Sequence, residues 1–182
     1  MKKLFIYCAG GDVFLPASQR EQVFAAMRHL AAELSDGLLA FEVLIPLDNE
    51  IEWSEGQDAN SKRSNALKIR LANEAMIRRC DAVIANLSPF RGPEPDCGTA
   101  YECGFARALG KDVLVYTDNF SEQTERYAHF DFEQAADDQR YAYREVEDFA
   151  LPFNLMMYGT DYPIFDSFAS ALKAYAAQQR AV

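Results

Sequence analysis

Apolar and polar positions alternate in blocks along this chain. Short apolar runs at Leu4–Ala9, Ala40–Leu47, Ala82–Leu87 and Asp112–Thr117 have strand length and are bounded by turn residues. Between them, apolar residues recur every three or four positions, the period of an amphipathic helix. The spacing predicts helices over Ser18–Leu34, Ser61–Arg79, Gly98–Leu109 and Phe168–Gln179. Their expected buried stripes are Val23, Met27, Leu30 and Leu34; Ala66, Ile69, Ala72 and Met76; Tyr101, Phe105 and Ala108; and Phe168, Leu172 and Tyr175. Ser18 with Glu21 three residues on reads as a capping box. Asp96 reads as the cap of the third helix and Gly110 as its stop. Ile164 and Phe165 suggest a short fifth strand.

Strands alternating with helices imply an α/β chain. The expected architecture is a single-domain doubly wound parallel sheet over residues 1–182, flavodoxin-like in order, with about five strands flanked by helices. No repeat, low-complexity segment or domain boundary interrupts it.

In such sheets, ligands bind in the crevice beyond the carboxyl ends of the strands. The stretch Ser88–Gly110, SPFRGPEPDCGTAYECGFARALG, leaves the third strand there. Pro89, Gly92, Pro93 and Pro95 forbid regular structure, so a shaped loop precedes the helix. Glu102 lies in the first turns of that helix, on the stripe of Ala106. A carboxylate near a positive helix end is expected to stay ionised and can act as a nucleophile; taken alone it also reads as an ordinary helix carboxylate. Asp96 can be a cap, or a cap and a ligand at once.

Other polar residues fall near the same crevice. Tyr7 closes the first strand, either as core or with a partner for its hydroxyl. Gly10-Gly11 is either a tight turn or a place where backbone approaches a ligand, and no GxGxxG surrounds it. Asp48-Asn49-Glu50 follow the second strand and suit a turn as well as a site. Asn73 stands beside a helix stripe, where an Asn is mildly unfavourable. Trp53–Asn60 is polar and reads as a flap, with Trp53 over a ligand or over core. Asp81, opening the third strand, reads as structural. Asn154 is one polar residue in the apolar stretch LPFNLMMYG.

Charge and composition narrow the functions. The formal net charge is −10, which disfavours binding to a nucleic-acid polymer. No run has the length of a membrane span, and the start MKKLFIYCAGG reads as a first strand rather than a signal peptide. Cys8, Cys80, Cys97 and Cys103 form no CxxC pair, so no metal or disulfide is expected and the thiols suit a reducing cytoplasm. Neither His29 nor His129 sits in a catalytic context. Residues 118–150 hold ten acidic residues against three Arg and read as a solvated face of short helices without catalysis.

The blocks KKLFIYCAGG, IPLDNE, CDAVIANLSPFRGPEPDCGTAYECGFARALGK and LPFNLMMYG together resemble the nucleoside 2-deoxyribosyltransferase family over nearly the whole chain. The resemblance implies that Glu102 attacks C1′ of a deoxynucleoside and holds the sugar as an ester. It also implies that Asp96 grips sugar hydroxyls and that Tyr7 orients Glu102. Glu50 falls where the family often has a Gln touching the base. Asn154 matches an Asn that reaches a neighbouring subunit's site, which implies a homo-oligomer, dimer-based or hexameric. The substrates would be deoxynucleosides and free nucleobases, and no cofactor is implied. Asn73 stands where some members carry an Asp that protonates the leaving base; Glu50 or Asp48 could substitute, or Asn73 could orient a water. A cluster of Asp48, Glu50, Asp96 and Glu102 would favour Glu50 as an acid. The C-terminal tail AAQQRAV departs from the family pattern.

Two alternatives remain at this level. One is an N-glycosidase hydrolysing deoxynucleosides or their 5′-monophosphates, for which Arg91 is the one nearby cation; Asp96 would repel a phosphate. The other is a non-catalytic nucleotide-sensing module on the same fold.

Overall fold

The structure, a computed structural model, describes residues 1–128 and 145–181. Four strands, β1 (Lys2–Ala9), β2 (Leu39–Leu44), β3 (Ala82–Asn86) and β4 (Asp112–Tyr116), form one parallel sheet in the order β2-β1-β3-β4. Among the described residues five α-helices surround them: α1 (Ala17–Glu33), α2 (Ala59–Arg79), α3 (Cys97–Ala108), α4 (Gln123–Ala128) and α5 (Phe168–Ala181). The order reverses between β1 and β3, so a crevice opens beyond their carboxyl ends. Among the described residues, no helix is long and apolar enough to cross a membrane.

Strand alternation divides the core into two layers. Leu4, Ile6 and Cys8 of β1 pack with Phe24 and Met27 of α1 and Leu172 and Tyr175 of α5. Tyr7 and Ala9 face the other way, against Met76 and Ile77 of α2, Cys103 and Ala106 of α3, and Phe153 and Met157. Tyr7 therefore belongs to the layer that α3 closes.

The helices differ from the sequence reading in detail. Pro16 stands at the start of α1 with no side-chain cap, which makes Ser18 a residue inside the helix rather than its cap. Phe24, Met27 and Ala31 are its buried residues, while Val23, Leu30 and Leu34 pack at the margin. α2 starts two residues earlier than predicted, because Asp58 accepts from the backbone N–H groups of Asn60 (2.8 Å) and Ser61 (3.2 Å). Ala66 is exposed and Ile69 and Ala72 are half-buried; only Met76 and Ile77 are buried. A helix this long spans about 30 Å, so its first half overhangs a sheet of short strands.

The correction in α3 matters most for the site. Tyr101 and Ala108 are exposed and Phe105 is half-buried; the sheet-facing residues are Thr99, Cys103 and Ala106. Small side chains let α3 lie close to the sheet, while the aromatics flank it. Tyr101 stacks on Phe105 and donates to Glu74, and the Arg78 guanidinium lies 4.9 Å from the centre of the Phe105 ring. This rotation turns Glu102 inward. Asp96 caps the helix and Gly110, at φ 71°, follows its end, as the sequence predicts.

The expected fifth strand is reduced to one parallel bridge between Tyr116 and Phe165. Pro163 has no N–H to donate just before it, and Asp166 and Ser167 already organise the start of α5 just after it.

Candidate active site

Tyr7 reaches out of β1 and its hydroxyl donates to Glu102 Oε1 at 2.6 Å. Tyr7 is fully buried, and burial and the neighbouring carboxylate push its own pKa up, so at neutral pH it is a donor. Burial raises the Glu102 carboxyl to about 7; the Tyr7 hydrogen bond opposes this and the Asp96 charge adds to it. The expectation of a carboxylate simply kept ionised by the helix end is thus corrected. Glu102 is the sixth residue of α3, beyond the first turn where the dipole acts, and desolvation prevails. Among the described residues, Glu102 Oε2 has no hydrogen-bond partner, which leaves one oxygen available to a ligand.

Asp96 fills the capping role that the sequence allowed. Its Oδ2 accepts from the Thr99 N–H at 2.9 Å and the Thr99 hydroxyl at 3.0 Å. Its Oδ1 has no hydrogen-bond partner among the described residues. The loop before it is held by Glu94, which accepts from Gln123 (2.8 Å) and Tyr127 (2.9 Å).

At the β1–β3 switch point, backbone and side chains crowd. A Cβ on Gly10 would fall 2.8 Å from Asn86 Cβ and 2.8 Å from Asp12 Oδ2, so only glycine fits that contact. Asn86 donates to Asp12 and accepts from the Ser88 N–H, tying the end of β3 to the start of the shaped loop. Beside them lies a cavity of about 300 Å³ lined by Phe14, Phe90 and Arg91, among others. The Arg91 guanidinium sits 4.8 Å from the Phe14 ring and 4.5 Å from the Phe90 ring. Sequence reasoning missed Asp12, Asn86 and Phe14; the one available signal was a polar residue closing an otherwise apolar strand at Asn86.

A second cavity, of about 420 Å³, opens between the end of β2 and α2, lined by Asp48, Asn49, Glu50, Ala72, Ala75, Met76 and Arg79. Asp48 is paired through both oxygens with Arg28 at 2.8 Å, and Glu50 is exposed. Of the four carboxylates grouped from the sequence, Asp96 is the one whose charge acts on Glu102 among the described residues, and Asp48 is neutralised by Arg28. Asn73 accepts from Asn49 Nδ2 at 3.1 Å, which orients its amide beside this cavity. Trp53 is exposed, and the chain around it is pinned to α2 by Asn65 on Ser54 and by Lys68 on the Glu52 carbonyl. Asp81 accepts from the Phe5 N–H at 2.7 Å, the structural role expected of it. His129 lies outside the described residues, as does much of the acidic stretch.

Asn154 has its partners on its own segment. It donates to Glu147 Oε1 at 2.6 Å and accepts from the Met156 N–H at 3.0 Å, capping a short 3₁₀ turn, Leu155–Met157. Among the described residues, one amide N–H and one lone pair of Asn154 remain, a donor and an acceptor side by side, as a hydroxyl requires.

Comparison with known proteins now bears on this geometry. The family model for nucleoside 2-deoxyribosyltransferase matches residues 6–156, which include Tyr7, Asp96, Glu102 and Asn154. The chain belongs to the nucleoside 2-deoxyribosyltransferase family. It is similar to the solved structure of a 2-desoxiribosyltransferase from Leishmania mexicana, with 37% identity over 96% of this chain and 97% of that one, at a TM-score of 0.73. A 2-deoxyribosyltransferase from Bacillus psychrosaccharolyticus gives 19% identity over 71% of this chain and 94% of that one, at a TM-score of 0.45. No curated protein sequence matches. Membership of the nucleoside 2-deoxyribosyltransferase family and the parallel α/β fold are those the sequence blocks implied.

Proposed function

We propose that this chain transfers 2-deoxyribose between nucleobases through a covalent deoxyribosyl ester on Glu102, in nucleoside salvage. The observation that carries this reading is the 2.6 Å Tyr7–Glu102 hydrogen bond, which leaves Oε2 without a partner among the described residues. As the base departs, positive charge develops at C1′, and an adjacent carboxylate stabilises and then traps it. A carboxylate that is costly to keep charged gains most from such a partner. A second nucleobase then attacks C1′ and releases Glu102.

The remaining roles follow in the same proposal. Asp96 Oδ1 accepts a sugar hydroxyl while Oδ2 caps α3. Glu50, Asp48 and Asn73 stand on the base side, with Glu50 contacting the base and Asp48 held by Arg28. Gly10 admits the sugar close to backbone. Asn154 presents its free donor and acceptor to the 5′ end of the sugar in a neighbouring subunit, so the working form is a homo-oligomer. A cytoplasmic setting agrees with Cys8, Cys80, Cys97 and Cys103, all free thiols.

Incubation with one deoxynucleoside and a second free base tests the reading. It predicts exchanged nucleoside as the main product. Free deoxyribose as the main product would mean a hydrolase, and no turnover a binding module.

A further inference from the structure

We propose that Arg107 is a positioning residue that acts on catalysis in the neighbouring subunit, through Asn154; this rests on the shared-site reading above. Arg107 lies in the last turn of α3 and crosses to the segment that follows Asn154. Its Nη1 donates to the carbonyls of Met156 (3.2 Å) and Tyr158 (3.3 Å), and its Nη2 to that of Met157 (3.0 Å). Three consecutive carbonyls thus converge on one planar cation, a geometry that a lysine cannot reproduce.

The surroundings are shaped for this clamp. A Cβ on Gly159 would fall 2.9 Å from Nη2, so a larger residue there would push the guanidinium from this position. Phe153 and Met157, on either side, are buried in the α3-side core. Asn154 itself is held by Glu147 at its Nδ2 and by the Met156 N–H at its Oδ1. Met156 therefore touches both Asn154, through its N–H, and Arg107, through its carbonyl. Releasing the clamp frees the turn that orients the Asn154 amide, while Tyr7, Glu102 and Asp96 make no hydrogen bond to it among the described residues. α3 thus carries two functions five residues apart. Glu102 serves the subunit's own site, and Arg107 serves the next one.

Mixed oligomers separate these directions. Arg107→Ala alone should raise KM for deoxynucleosides about tenfold, with a smaller change in kcat, as loss of uniform binding does. Oligomers mixing Arg107→Ala with Glu102→Ala subunits should recover activity, because some sites pair an intact Glu102 with an intact clamp. Oligomers mixing Arg107→Ala with Asn154→Ala should not, since both changes remove the same contribution. The reverse pattern would place Arg107 in its own subunit's site and overturn the proposal, as would unchanged kinetics of Arg107→Ala. The pair Glu102→Ala with Asn154→Ala serves as the control. Recovery there with none for Arg107→Ala and Glu102→Ala rejects the Arg107 role alone. No recovery in the control, despite proven subunit mixing, rejects the shared site and the Arg107 role with it. Arg107→Lys keeps the charge and stem and should follow the pattern of Arg107→Ala, which covers the case in which the alanine variant does not fold.

Discussion

The Tyr7 hydroxyl and the Glu102 carboxylate, 95 residues apart in sequence, meet at 2.6 Å and shift each other's proton affinity in opposite senses. Tyr7 draws Glu102 down while Glu102 pushes Tyr7 up, so the proton stays on the phenol and the negative charge on the carboxylate. Tyr7→Phe should remove the downward influence. The acidic limb of kcat/KM, which reports the free enzyme's ionisation, should move to higher pH than in wild type. The rate at pH 7 should fall by about 10- to 100-fold, the worth of a hydrogen bond to a charged group. An unchanged pH profile would mean that Tyr7 only fills the core.

Burial of Glu102 links stability to pH. The carboxyl ordinarily titrates near 4.5 and in the folded chain near 7, so the folded state holds the proton more tightly. Its contribution to stability is fully present below about 4.5 and is lost as pH rises through about 7. Glu102→Gln keeps the acceptor for Tyr7 without the charge. Denaturant titrations should find it more stable than wild type above pH 7, by up to about 3 kcal/mol, with the difference vanishing at pH 4. Equal stability at pH 8 would show that the site hydrates Glu102 after all.

In the proposed reading, Asp96 serves the helix and the ligand with different oxygens. Asp96→Ala should lose about 1 kcal/mol of stability with its cap and should also raise KM. Asp96→Asn caps about as well and should keep the melting temperature while KM still rises. A wild-type KM in the Asn variant would reduce Asp96 to a cap.

Glu50 is exposed and Asp48 is engaged by Arg28. Glu50→Gln should therefore change KM and the preference among bases while leaving kcat on purine nucleosides near wild type. Loss of roughly 10²–10⁴-fold in kcat, the range for general acid catalysis, with a nitrophenyl deoxyriboside spared, would instead identify Glu50 as the acid.

Sequence pattern reached the four strands and the α3 cap, because these rest on local signals, apolar runs and a capping residue; the grouping of Tyr7 with Glu102 and Asp96 came from the family resemblance of the motif blocks. The pattern misplaced the face of α3 because bulk was taken as the mark of the core, whereas Cys103 and Ala106 are buried there, Phe105 packs only at the margin and Tyr101 is exposed. It misjudged how tightly Glu102 holds its proton because burial depends on that same rotation. Arg28 on Asp48, Glu147 on Asn154 and Arg107 on three carbonyls were not legible. Each is a long side chain meeting a partner at a distance set by the fold rather than by spacing.

The most direct measurement is mass analysis of wild-type protein quenched during turnover of a deoxynucleoside. The account predicts a fraction of chains heavier by one deoxyribosyl unit, with the added mass on the peptide that contains Glu102. That mass should disappear when a second base is supplied and should be absent from Glu102→Ala. Full exchange activity in Glu102→Ala, or an adduct on another residue, would contradict it.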